Sequence, residues 1–295
     1  MLDADTGAVL KSFDTGGTRG VVADVTLVRD SAGQVIYGYT SDLGGNVYRI
    51  TFGSSAPASW AMTKIASFGC DTTAACTANR KFMFAPSVVA ANSNYVIMLG
   101  SGDREKPLSY YASTGAVSNH FFMFTDKPTT ATSTWPGSAD CGTEIICKNS
   151  LLGVSAGSTP TATALATKKG WYLGMTSTEQ VVTSAVTIFG VLTFSTHLPA
   201  VPVTGSCSSN LGTARVYNVG YNTVASANGT DSPYQDVVGG GLPPSPVAGR
   251  VTLDNGSTVP FCIGCSKNSP LEASAPTGLG SVIQPKGRLY WYIQK

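Results

Sequence analysis

A chain of 295 residues is long enough for one large β domain or two smaller ones. Charged residues make up only 12% and the net charge is +2, so no field steers nucleic acid or an anionic membrane toward it. No run is long and apolar enough to span a bilayer, no long amphipathic helical pattern occurs, and 33 Gly and 16 Pro among many Ser and Thr point to strands and loops in a protein placed outside the cytoplasm.

In chain order, Met1-Leu2-Asp3 lacks the basic and apolar regions of a signal peptide. Leu2-Asp3-Ala4-Asp5-Thr6-Gly7 reads as the turn between the last two strands of a repeat, with Ala8 to Phe13 as its final strand; the chain is therefore expected to be N-terminally truncated. From Val21 to Phe52 three runs rich in Val, Ile, Thr and Tyr are broken at Ser31-Ala32-Gly33-Gln34 and at Leu43-Gly44-Gly45. Such residues suit a pleated, half-buried surface, and Gly supplies the positive φ of tight hairpins. Trp60 to Ala66 is a fourth strand, with Trp60, Met62 and Ile65 available to face a neighbouring sheet. A four-stranded antiparallel meander is the unit of a β-propeller blade.

A second repeat starts at Phe82 to Val89, turns at Asn92-Ser93-Asn94, and continues through Tyr95 to Gly102 and Asn119 to Phe124. Its connection carries Asp103-Arg104-Glu105-Lys106-Pro107, the most charged run of the chain. That run reads either as a solvated loop, whose exposed ion pairs add little, or as a structural loop in which Arg104 pairs with a carboxylate. Residues 127–169 lose the strand pattern and are expected to be a long excursion from a blade edge, with Trp171 to Met175 resuming as the outer strand. A third repeat runs through Val181 to Phe189, a turn at Phe189-Gly190, Val191 to Thr196 and Thr213 to Val219. Asn228-Gly229-Thr230 and Asn255-Gly256-Ser257 fit glycosylation sequons but read as turns. Gly239 to Pro246 is stiff and extended. Val247 to Leu253 and Thr258 to Ile263 form a hairpin, 266–280 reads as loop, and Arg288 to Gln294 as a closing strand.

Six of the seven Cys lie in close pairs: Cys70/Cys76, Cys141/Cys147 and Cys262/Cys265, with Cys207 alone. Short disulfide-closed loops suit an exported protein, and disulfides are the expected state. Zinc on the C-x-x-C of Cys262 and Cys265 is the rival, but it needs a second close pair of ligands, and His120 and His197 are isolated. The odd Cys207 leaves one thiol free or one local pairing wrong.

Several of these stretches also carry a resemblance. Asp42-Leu43-Gly44-Gly45-Asn46-Val47-Tyr48-Arg49 after Ala23-Asp24-Val25, Gly102 to Leu108, Gly170 to Leu173, Gly239 to Pro246 and Arg288 to Tyr292 resemble, in order, the C-terminal β-propeller of PilY/PilC-type proteins. These are tip-associated adhesins and assembly factors of type IV pili. The resemblance implies an all-β fold of quinoprotein-like blades, here a single domain over 1–295 that is the C-terminal part of a larger propeller. It also implies a non-enzymatic role: supporting pilus assembly, opposing retraction and contributing to attachment. The implied partners are minor pilins and a host or abiotic surface, and the implied place is the pilus tip, reached through the periplasm. The charged loop Asp103, Arg104, Glu105 and Lys106 belongs to the resembling set.

Candidate chemistry is sparse. Two His and no Gly-x-Ser-x-Gly elbow give no nucleophile and base; His197 reads as a loop histidine without partners and Lys168-Lys169 as a solvated pair. Phosphate-cradling loops lack a strand-loop-helix context. Family members carry an acidic calcium loop after the first strand, where hard oxygen ligands are needed. Its carboxylate positions fall here on Val28, Asp30, Ala32 and Ile36, and its glycine on Gly33; only Asp30 and Gly33 survive, so no calcium and no other cofactor is expected. A quinoprotein dehydrogenase on a related propeller is the enzymatic rival, lacking adjacent Cys-Cys and the calcium carboxylates. A carbohydrate-binding propeller is a third reading, without a repeated aromatic motif.

Overall fold

The β-branched runs broken by Gly-containing turns fold into hairpins. The computed structural model describes residues 1–53, 56–72, 74–109, 116–130, 141, 145–201, 205, 211–254, 256–268 and 273–274. Sheet I is the meander β1 (Thr26–Arg29), β2 (Val35–Ser41), β3 (Asn46–Thr51) and β4 (Ala61–Ser67), hydrogen-bonded in that order. Sheet II holds β5 (Ser87–Ala91), β6 (Asn94–Gly100) and β7 (His120–Asp126), then β9 (Gly170–Gly174), with β8 (Leu152–Val154) parallel to β9 outside it. In sheet III, β10 (Gln180–Val181) and β11 (Val186–Ile188) both pair with β12 (Val191–Leu198), followed by β13 (Thr213–Gly220) and β14 (Tyr234–Asp236). Sheet IV is β15 (Val247–Thr252), β16 (Thr258–Ile263) and β17 (Ala273–Ser274). The structure is nearly all β, in successive sheets that are antiparallel apart from β8, in line with the expected all-β class, and Leu2 bridges Val9 across the expected turn.

Strand β7 shows why the sheets stack. Alternate residues of a strand face opposite sides, and all of its residues but Thr125 are buried. Phe122 and Phe124 enter a core between sheets I and II with Tyr39, Val47, Ile65, Phe68, Phe82 and Ile97. Phe121 and Met123 enter a second core between sheets II and III with Met98, Trp171, Leu192, Phe194 and Tyr217. Stacked rings lock both layers: Phe68 on Phe122 at 4.4 Å, Phe121 on Phe194 at 4.0 Å.

The structure corrects several local readings. Val181 to Phe189 is two strands, because the Thr183 hydroxyl takes the Ser195 amide at 2.9 Å and a side chain replaces the ladder bond. The second repeat starts at Ser87 rather than Phe82; Phe82 sits fully buried in the first core. The 127–169 excursion contains β8 and a short helix, α1 (Ala162–Ala166), capped by the Thr161 hydroxyl. Strand β17 lies inside the segment read as loop, and β14 was not foreseen. A bulge between Val47 and Tyr48 turns Ile65 toward sheet II, while Met62 stays opposite Ile50 and Trp60 packs edge-on to Phe52. The closing strand Arg288 to Gln294 and the thiol of Cys207 lie outside the described residues.

Candidate site at the junction of sheets II, III and IV

The charged loop after β6 is anchored at its start and exposed at Glu105 and Lys106. Gly102 packs against the Val181 backbone so closely that a Cβ would lie 2.2 Å from its carbonyl oxygen. Asp103 is therefore carried inward and is 6% exposed, paired with Lys81. Its amide donates to Gln180 Oε1 at 2.6 Å, and Gln180 Nε2 donates back to the Lys106 carbonyl at 3.3 Å. Arg104 Nη1 donates to the carbonyls of Val182 at 2.5 Å and Pro243 at 2.9 Å. The carboxylate partner anticipated for Arg104 is thus replaced by two backbone oxygens. Neither original reading of the run holds for all of it: Asp103 is buried, whereas Glu105 and Lys106 are exposed.

The Gly239 to Pro246 segment meets this loop from the other side. Gly240 approaches Gly212 so closely that a Cβ would lie 2.3 Å from the Gly212 carbonyl, and its φ of +60° favours glycine. Ser245 accepts the Ser184 amide at 3.2 Å. Two stretches more than a hundred residues apart in sequence are thereby tied to β10 and to each other through Arg104. The arrangement is a clasp that presents an acid and a base at an exposed tip, with Arg104 and Gln180 bound to backbone groups and Asp103 paired with Lys81. Arg104→Met is expected to cost about 1–3 kcal/mol by orphaning buried carbonyls; urea denaturation measures it, and an unchanged midpoint would show that the clasp does not hold the sheets.

A second polar cluster lies where sheets I and II meet, beside the Cys70–Cys76 loop. Arg80, 4% exposed, donates from Nε to the Ser118 carbonyl at 2.6 Å and from Nη1 to that of Phe68 at 3.0 Å. Its Nη2 contacts Asp71 and reaches His120 Nε2 at 3.2 Å. Lys148 binds the same Asp71 oxygen at 2.6 Å and lies over the Tyr172 ring, on which His120 stacks. Burial first, then the Arg80 and Lys148 charges, push His120 down to about 4. Partial burial works against Asp71, but the Lys148 and Arg80 bonds hold it at about 2.

Three carboxylates among the described residues are fully buried in roles that the sequence reading did not assign, although Asp42 opens one of the resembling stretches. Asp42 caps the Gly44–Asn46 turn and accepts from Tyr48 at 2.9 Å. Asp126 accepts from Tyr39 and Arg49, both at 2.8 Å, across sheets I and II. Glu179 accepts from Thr196 at 2.5 Å, Thr176 at 2.6 Å, and Tyr217 and Arg215 at 3.0 Å. Burial first, then the adjacent carboxylate, raise the pKa of Tyr39 and Tyr217. An isolated acid at a strand end, in a chain with few acids, was the available signal.

The three cysteine pairs are bonded: Cys70–Cys76, Cys141–Cys147 and Cys262–Cys265, with Cα separations of 5.8, 5.6 and 5.7 Å. The C-x-x-C is thereby a disulfide rather than a thiolate pair. His197 is corrected: it lies in β12, 2% exposed, and its Nε2 donates to the Leu211 carbonyl at 2.8 Å. Lys169 is corrected too, being 5% exposed with its ammonium on the Ile145 carbonyl; Lys168 Nζ donates to Asn149 O at 2.9 Å. Asn228 spends its amide on the Ser232 carbonyl at 2.8 Å, as a turn residue does.

Asp30 and Gly33 form a tight turn. Asp30 Oδ1 accepts from the amides of Ala32 at 2.9 Å and Gln34 at 2.8 Å, and Arg29 Nη1 donates to the Gly33 carbonyl at 2.9 Å. The carboxylate is engaged by its own turn and a guanidinium occupies a backbone oxygen that a cation would use. Val28 packs on the first core, and Ile36 lies on the opposite face from its neighbour Tyr37. We expect millimolar calcium to leave Tm unchanged in the wild type and in Asp30→Ala alike. Calorimetric heat of calcium binding that Asp30→Ala abolishes would contradict this.

No family model and no curated protein matches this chain. Among solved structures it is similar to the C-terminal domain of PilY1 from Pseudomonas aeruginosa, with a TM-score of 0.57 and 15% identity, over 88% of this chain and 63% of that one. The two share a fold, and this chain spans less than two thirds of that domain's length. A Synechocystis apocarotenoid oxygenase mutant is also similar, with a TM-score of 0.33 and 8% identity over 93% of this chain and 55% of the other, too low to bear on fold or chemistry.

Proposed function

We propose that this chain is a non-enzymatic type IV pilus module, a tip-associated assembly factor and adhesin that supports pilus assembly, opposes retraction and contributes to surface attachment. The observation that carries this reading is the fold shared with the PilY1 C-terminal domain. Two of the resembling stretches, Asp103 to Lys106 and Gly239 to Pro246, also meet at one junction through Arg104. Three disulfides suit export into an oxidising compartment. The chemistry agrees: Asp42, Asp126 and Glu179 are each committed to Tyr, Arg, Asn or Thr partners, so their lone pairs serve the fold. On this reading the partners are minor pilins, and the exposed Glu105 and Lys106 tip is available to them.

Deleting the gene that encodes this chain tests the proposal. Loss of surface pili and twitching, restored by a plasmid copy, is the expected result; normal piliation and motility would overturn it. Dye-linked alcohol oxidation above background after cofactor reconstitution would support the quinoprotein reading instead.

A further inference from the structure

We propose that the face of β12 turned toward sheet IV holds an internal water molecule between Ser195 and His197. The two faces of sheet III differ in chemistry. Leu192 and Phe194 of β12, with Tyr217 and Val219 of β13, lie in the core shared with sheet II. The other face carries Thr193, Ser195 and His197, and beside Thr193 sits Asn218. Asn218 accepts from the Thr193 hydroxyl at 2.7 Å and donates to the Cys265 carbonyl at 3.1 Å, which shows that this face meets the Cys262–Cys265 turn of sheet IV.

Two atoms on this polar face have no partner. Ser195 is 1% exposed and His197 2%, and both Ser195 Oγ and His197 Nδ1 lack a hydrogen bond. The His197 tautomer follows from its other nitrogen: Nε2 faces the Leu211 carbonyl, an acceptor, so Nε2 carries the proton and Nδ1 presents a lone pair. Protonation of Nδ1 is disfavoured, since burial and the Arg104 charge lower the pKa of His197 while the Leu211 carbonyl only partly offsets them. A donor must therefore come from outside the imidazole.

Residues two apart on a strand are separated by about 6.6 Å. That is the backbone spacing; the side-chain atoms Ser195 Oγ and His197 Nδ1 share no direct hydrogen bond, and a water donating to Nδ1 and bonded to Oγ satisfies both. Gly212 closes the other side, so near that a Cβ would lie 2.6 Å from His197 Nε2.

The test is long-range proton–nitrogen NMR of the His197 ring in the intact chain, wild type and Ser195→Ala, with a crystal structure that resolves waters. The expected wild-type Nδ1 resonance is that of a hydrogen-bonded acceptor, it survives in Ser195→Ala because water still donates, and density lies within hydrogen-bond reach of both atoms. An Nδ1 resonance typical of an unbonded nitrogen in the wild type would overturn the proposal. So would a bonded resonance that Ser195→Ala abolishes, since the serine would then be the donor.

Discussion

Glu179→Ala is expected to destabilise the protein by about 3–5 kcal/mol, the cost of removing one partner from a buried ion pair. Glu179 is fully buried and is the common acceptor for Thr176, Thr196, Arg215 and Tyr217, so its loss strands a guanidinium and three hydroxyls at once. Arg215 keeps only the exposed Asp236 at 3.2 Å and the Tyr234 ring beneath it. Asp236→Ala, at the 65% exposed end of the same arginine, is the control and should cost under about 1 kcal/mol. Urea midpoints of the two variants at constant slope measure the contrast. Equal shifts would mean that the carboxylate at the core of sheet III is replaceable by solvent.

Acid is expected to weaken the fold through His120 before most carboxylates titrate. Its folded value is about 4 against an ordinary 6.5, so between these the unfolded chain binds more protons than the native one. The stabilisation is fully present above pH 6.5 and is lost as pH falls toward 4, a change of about 3 kcal/mol. The cause is geometric: Nδ1 donates to the Asn119 carbonyl and Nε2 accepts from Arg80, so a second proton would replace that bond with a repulsion, and Lys148 adds to it. Asp71 opposes the change only weakly. His120→Gln keeps an acceptor for Arg80 without titrating and should flatten the stability curve between pH 6.5 and 4. A variant curve parallel to the wild type would assign the acid sensitivity elsewhere.

The meanders were legible because period-two alternation and Gly-containing turns are local signals. The hairpins at Gly33 and Gly45, the turn at Asn92 and the turn at Phe189-Gly190 all fall where the residues put them, with positive φ at each. The short pairings were harder. Strand β8 joins β9 in parallel and β14 pairs with β13, each over three residues, and neither is long enough to show a pattern. His197 and Lys169 were misplaced because their partners are backbone carbonyls of Leu211 and Ile145, which no side-chain motif announces.

The sequence by itself determined the strand class, the two-faced hydrophobicity of β7, and which cysteines lie close enough to bond, since each depends on residues within about ten positions of one another. Tertiary structure alone decided where the charges went. Asp126 meets Arg49 and Tyr39 across 77 and 87 residues, and Arg104 meets Pro243 across 139. A buried charge must find a partner wherever stacking brings one, and stacking is set by the packing of whole sheet faces, which no single stretch of sequence contains.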